Sequence, residues 1–159
     1  MVPVETVYIE TSVVSYLAAL PSHDPVVAWR QKLTRAWWTN QREKFLCFVS
    51  QEVIVEIVAG NPGAAARRKA AIENLPLLAM DNQTAKLAKD LMAHGLLPPN
   101  ARADASHLAA SICAEMDYLL TWNYRHLANA VVLHHMESFL ERRGLKLPRV
   151  CTPEELMGE

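Results

Sequence analysis

Cysteine is sparse in this chain: Cys47, Cys113 and Cys151 are the only three, widely spaced and without a CxxC pair. That pattern argues against both a disulfide framework and a zinc site, and it fits a reducing cytoplasm. An excess of charge of one sign is lacking too. Lys and Arg number 16 against 17 Asp and Glu, giving a net charge of -1, so the totals do not describe a broadly basic nucleic-acid binder and any such contact has to be local. No apolar run approaches the roughly 18 residues of a membrane span, and the start "MVPVETVYIETS" has no basic segment leading into a long apolar one. Neither export nor membrane insertion is expected. Internal repeats, low-complexity tracts and a linker able to split the chain are also missing.

What is present is ordinary globular material. With 159 residues, 51% of them apolar and 21% charged, the chain can bury a sizeable core, and residues 1–159 are expected to form one domain. Short β-branched and aromatic runs alternate with helical patterns. "TVYI" reads as a strand, and Ser12 suits the cap of a helix over "VVSYLAAL". Asp24 and Pro25 open a second helix reaching about Gln41, with Val26, Trp29, Leu33 and Trp37 near helical spacing. "FLCFVS" is a buried-strand run that leads, through a Ser50 cap, into the helix "QEVIVEIVAG". An Ala-rich helix, the short strand "LLAM" and the helix "NQTAKLAKDLMAHG" follow. The remainder reads as the helix "ADASHLAASICAEM", the strand "YLLTW", a long helix over "YRHLANAVVLHHMESFLERRG" and the strand "RVCTP". This rhythm predicts a three-layer α/β/α domain with a mainly parallel sheet.

Open parallel sheets bind ligands beyond the carboxyl ends of their strands. Glu10 follows the first strand and Asn123 the fourth. The helix bearing Asp104 descends about 18 Å to Met116 at 1.5 Å per residue, and "YLLTW" climbs back about 17 Å. Asp104 and Asn123 should therefore lie level at one edge. Glu56, about 9 Å down its helix by the same rise, flanks the apolar face and can lean back towards that edge. Acids gathered there would repel one another unless a cation sat between them, and an all-oxygen set suits Mg²⁺ or Mn²⁺. Such an ion lowers the pKa of bound water and neutralises phosphate charge, which makes phosphodiester hydrolysis plausible.

At these residues the chain resembles the PIN-domain ribonucleases, and within them the VapC-like toxins of toxin–antitoxin pairs. "YIETSVVSYL" is similar to the family's first acidic motif, "VSQEVIVEI" to its second, "ADASHLAAS" to its third and "YLLTWNYRHL" to its last. The resemblance implies an Mg²⁺- or Mn²⁺-dependent endoribonuclease with Glu10, Glu56, Asp104 and Asn123 as metal and catalytic residues. It also implies a homodimer and an antitoxin partner. Thr11, Ser12 and Arg125 are candidate contacts to RNA or to metal-bound water. Two positions depart from the family pattern: Glu10 stands where Asp is usual, and Asn123 where an acid is usual. These departures motivate the alternative of a degenerate domain that binds RNA or a protein without cutting. Each residue also has a plainer reading, with Asp104 as a helix-start acid, Asn123 as a turn starter, and the Trp stripe as core.

Overall fold

The computed structural model describes residues 2–158. Its first strand, β1 (Thr6–Ile9), buries Val7, Tyr8 and Ile9 completely, as a strand covered on both faces requires. The chain continues through α1 (Thr11–Ala18), α2 (Pro25–Asn40), a 3-10 turn (Arg42–Lys44), β2 (Leu46–Ser50) and α3 (Gln51–Ile57). After α4 (Pro62–Ile72), β3 (Leu77–Leu78), α5 (Asn82–Ala93) and α6 (Arg102–Cys113) come β4 (Tyr118–Leu120), α7 (Ala130–Glu141) and β5 (Arg149–Cys151). All strand pairings are parallel and the order is β3-β2-β1-β4-β5. This is the α/β/α architecture expected from the alternation.

The strand order moves outward from β1 to β3, then returns past β1 to β4 and β5. Right-handed crossovers consequently place α1 to α4 over one face of the sheet and α5 to α7 over the other. Most helix contacts follow this division, with α1 packed on α2, α3 and α4, and α5 packed on α6, while α3 and α6 also touch where Glu56 meets His107. Ile57, Leu108, Leu119, Leu120 and Leu140 lie fully buried between the layers.

Local chemistry explains the element ends. Asp24 and Asn61 cap α2 and α4 ahead of a proline in the first turn. Arg68 donates to the carbonyls of Ile57 and Ala59 at 2.8 to 3.0 Å, and Arg67 donates to the carbonyl of Ala18. These two arginines thus satisfy the open ends of α3 and α1.

Several boundaries differ from the sequence reading. α6 stops at Cys113, not Met116, because Glu115 turns left-handed at φ 53°. The long helix expected from Tyr124 begins only at Ala130: Asn129 caps it through Val131 N and Val132 N, and the preceding residues form a turn. Ser50 precedes α3 as expected, yet its hydroxyl makes no cap bond and meets Tyr8 instead. In the α2 stripe only Trp37 is fully buried, while Val26 and Trp29 are exposed.

Leu119 is central in β4 and fully buried. Leu119→Ala is expected to lower the unfolding free energy by about 2–5 kcal/mol, measured by urea titration with circular dichroism.

Candidate active site

The direction of the strand order reverses between β1 and β4, and ligand crevices in open α/β sheets form at such a switch point, beyond the carboxyl ends of the strands. Glu10 stands there. Its amide donates to the carbonyl of Leu120 at 3.1 Å, adding a rung between β1 and β4. Its carboxylate is 5% exposed by residue and takes three hydrogen bonds: from Ser12 N (3.0 Å) on Oε2, and from the Ser12 and Thr121 hydroxyls on Oε1. Glu10 itself is therefore the N-cap of α1, displacing Ser12 from the role its sequence position suggested. The Ser12 hydroxyl instead donates to Glu10 and accepts from Trp122 N at 2.8 Å.

The second acid arrives from α3. Glu56 Oε1 accepts from the Thr11 hydroxyl at 2.6 Å and lies 2.6 Å from His107 Nε2. Both contacts fall on Oε1, which leaves Oε2 of a side chain 33% exposed as the open acceptor. His107, fully buried in α6, is the site residue that sequence reasoning missed. Its Nδ1 lies 2.6 Å from the Tyr8 hydroxyl, which is 2.6 Å from Ser50 Oγ, and its Nε2 is 3.9 Å from Glu10 Oε2. Glu10, Glu56 and His107 each bring one ligand atom within 4.8 Å of the others.

Asp104 and Asn123 do meet at the same edge, but in an adjoining group. Asn123 Nδ2 donates to Asp104 Oδ1 at 3.0 Å, and His126 Nδ1 lies 2.8 Å from Oδ2. Asn123 Oδ1 accepts the amides of Arg125 (3.1 Å) and His126 (3.0 Å). Its oxygen thus starts a turn and its nitrogen holds Asp104. Asp104 occupies the first turn of α6, where the helix dipole favours its charge. It keeps lone pairs beyond the two already engaged. Arg125 is exposed on the turn that Asn123 organises. Thr11 and Ser12 spend their hydroxyl protons on Glu56 and Glu10, which positions the acids more than any substrate.

The electrostatics of the first cluster follow from burial and pairing. Burial opposes protonation of His107, but the hydrogen bond to Glu56 and the charges of Glu10 and Glu56 outweigh it and raise its pKa. Burial likewise pushes Glu56 up, yet its bonds to His107 and Thr11 leave the carboxyl below its ordinary value. Burial drives the Tyr8 hydroxyl far above its usual range, so it stays a neutral link between Ser50 and His107. The two carboxylates offer oxygen ligands of the kind a hard divalent ion takes, while both nitrogens of His107 are engaged by Tyr8 and Glu56. Glu10 and Glu56 are the residues that would hold it, with Asp104 alongside.

No family model matches the chain, and no curated protein matches it. Solved structures do, and they define the class of fold as that of the VapC toxins. Mycobacterium tuberculosis VapC20, described as a sarcin-ricin loop cleaving toxin, is 12% identical with a TM-score of 0.60 over 76% of this chain and 92% of its own. Rickettsia felis VapBC2, solved bound to a DNA fragment from its promoter, is 13% identical with a TM-score of 0.52 over 92% of this chain and 98% of that one. The fold is the VapC-like PIN fold that the motifs resemble.

The pairing of His107 with Glu56 makes stability depend on pH in both directions. A histidine whose folded pKa lies above its ordinary 6.5 adds stability that is complete below that value and lost as pH rises through the folded pKa. A carboxyl held below its ordinary 4.5 adds stability present above that value and lost as pH falls through its folded pKa. In EDTA, urea midpoints measured across pH should therefore decline on the alkaline side of the histidine, and Glu56→Gln should flatten that limb. An unchanged limb in Glu56→Gln would show that the pair contributes nothing to stability.

Proposed function

We propose that this protein is a divalent-cation-dependent endoribonuclease and the toxin of a toxin–antitoxin pair. The observation that carries the reading is the convergence of Glu10 and Glu56 with His107 at the switch point of a VapC-like fold. The ordered acidic motifs support it, as does the toxin described for VapC20. An antitoxin partner is supported by the likeness to the VapBC2 complex; a homodimer rests on the family resemblance alone.

In this reading Glu10 and Glu56 hold Mg²⁺ or Mn²⁺. Asp104, fixed by Asn123 and His126, supplies further negative charge at the same edge. A bound ion of this kind acidifies a coordinated water and offsets charge on the scissile phosphate. The chain's own contribution is preorganisation. Ser12, Thr121 and Thr11 point hydroxyl protons at the two acids, so neither carboxylate has to reorient when substrate binds. His107 fixes the Glu56 rotamer from below, and Tyr8 and Ser50 hold the imidazole in turn. Arg125, exposed beside Asn123, is the phosphate contact at the mouth.

Purified protein should cleave RNA in Mn²⁺ or Mg²⁺ and stop in EDTA. Glu10→Gln and Glu56→Gln should each reduce the single-turnover rate by at least about a hundredfold, the scale of losing a preorganised electrostatic contact. Asp104→Asn should also impair cleavage. A metal-replete protein that binds RNA but never cuts it would instead establish the non-cleaving alternative.

A further inference from the structure

A second feature adjoins the acidic edge and is used by none of the chemistry above. Arg30, half-buried on α2, holds its guanidinium carbon 5.9 Å from the Tyr16 ring, 5.7 Å from Trp122 and 5.4 Å from Tyr124. Its Nη1 donates to the Tyr16 hydroxyl at 3.1 Å. Among the described residues it forms no ion pair with an acid. A cation that is fixed, partly desolvated and without a carboxylate is an electrostatic invitation to an anion.

The rings are graded in exposure. Trp122 is 4% exposed and Tyr124 46%, with centroids 6.3 Å apart. The buried end is locked: Trp122 Nε1 donates to Thr34 Oγ1 at 2.8 Å, and that hydroxyl donates to the carbonyl of Arg30 at 2.6 Å. Tyr124 is the open end of this aromatic cluster, its ring tilted 60° to that of Trp122. This cluster is also tied to the acids, because one hydroxyl, Ser12 Oγ, touches both Trp122 N and Glu10. Tyr124 further follows Asn123, which binds Asp104. An exposed aromatic face with a guanidinium against it is the surface on which unpaired bases stack, with the cation taking a neighbouring phosphate.

We infer that Tyr124 and Arg30 form a binding platform for an unpaired nucleotide of RNA next to the acidic site. The base stacks on Tyr124, and Arg30 contacts the adjoining phosphate. The inference rests on the ribonuclease reading for its choice of RNA as ligand, and it adds which side chains hold an unpaired nucleotide beside the acids. Stacking tolerates every base, so the platform selects strandedness over sequence.

Fluorescence anisotropy with fluorescein-labelled oligouridylate and oligoadenylate, in EDTA so that nothing is cut, tests this directly. Tyr124→Ala should weaken both by about tenfold to a hundredfold, while Tyr124→Phe, which keeps the ring face, should bind within about twofold of the parent. Arg30→Gln should weaken binding and lower the slope of log affinity against log salt by about one. Blunt duplex RNA should be little affected by Tyr124→Ala. Because Tyr124 is exposed, its variants should melt with the parent, which separates a binding defect from misfolding. Unchanged affinity in Tyr124→Ala, or an equal loss in Tyr124→Phe, overturns the platform. Cleavage with unchanged KM in Tyr124→Ala overturns the platform and leaves the ribonuclease intact. Tyr124-dependent binding by a metal-replete protein that never cuts overturns the ribonuclease and keeps the platform. A parent protein that neither binds nor cuts RNA overturns both.

Discussion

Everything at this edge of the sheet depends on keeping one carboxylate buried. Glu10 sits at the end of the central strand, almost without solvent, where an unpaired charge would cost several kcal/mol, roughly the effective penalty for a desolvated ion. Its partners come from separate parts of the fold: Ser12 from the start of α1, Thr121 from the end of β4 and, at longer range, His107 from α6. Strand pairing, helix initiation and cross-sheet packing are all recruited to satisfy the same group. The site is thus a consequence of how the sheet is assembled and cannot be moved without moving β1 against β4.

The second constraint is the division of labour among polar groups. Hydroxyls from Ser12, Thr121 and Thr11 donate to the acids without adding charge, so they are compatible with a cation at the same carboxylates. Each of the two histidines pairs with one acid: His107 with Glu56, His126 with Asp104. This divides the carboxylates into two separately hydrogen-bonded groups. Asn123 joins them structurally, since its nitrogen binds Asp104 while its oxygen starts the turn that presents Tyr124 and Arg125.

Much of this edge was legible from local pattern. Strand and helix alternation placed Glu10 at a strand end and Asp104 at a helix start, with Glu56 farther down its helix and leaning back, and the rise of helix and strand put Asp104 level with Asn123, which the 3.0 Å contact matches. His107 was not legible. It sits beside Leu108 on a buried apolar helix, and its significance comes from Tyr8 across the sheet, a contact created only by tertiary packing. The Ser12 cap was misread for a related reason. Serine is the commoner cap, but the longer arm of Glu10 folds back onto the Ser12 amide because Thr121 and His107 hold it there. The early end of α6 and the late start of α7 likewise depend on the Glu115 and Asn129 conformations, which neighbours impose.

The departures from the family pattern become intelligible in these terms. At 12 to 13% identity the shared architecture says little about which atoms are used, and the atoms here are arranged around a glutamate. An aspartate at this position would lack a methylene of reach towards Ser12, Thr121 and the Glu56–His107 pair, so the longer acid and the buried histidine form one solution. Asn123 belongs to the same solution. A second acid directly against Asp104 would oppose it at hydrogen-bond distance, whereas a carboxamide binds Asp104, starts the turn and leaves the negative charge of this edge on Asp104. The switch point between β1 and β4 therefore carries acids on its floor and, at its rim, a turn that presents the aromatic ring of Tyr124 and the cation of Arg125.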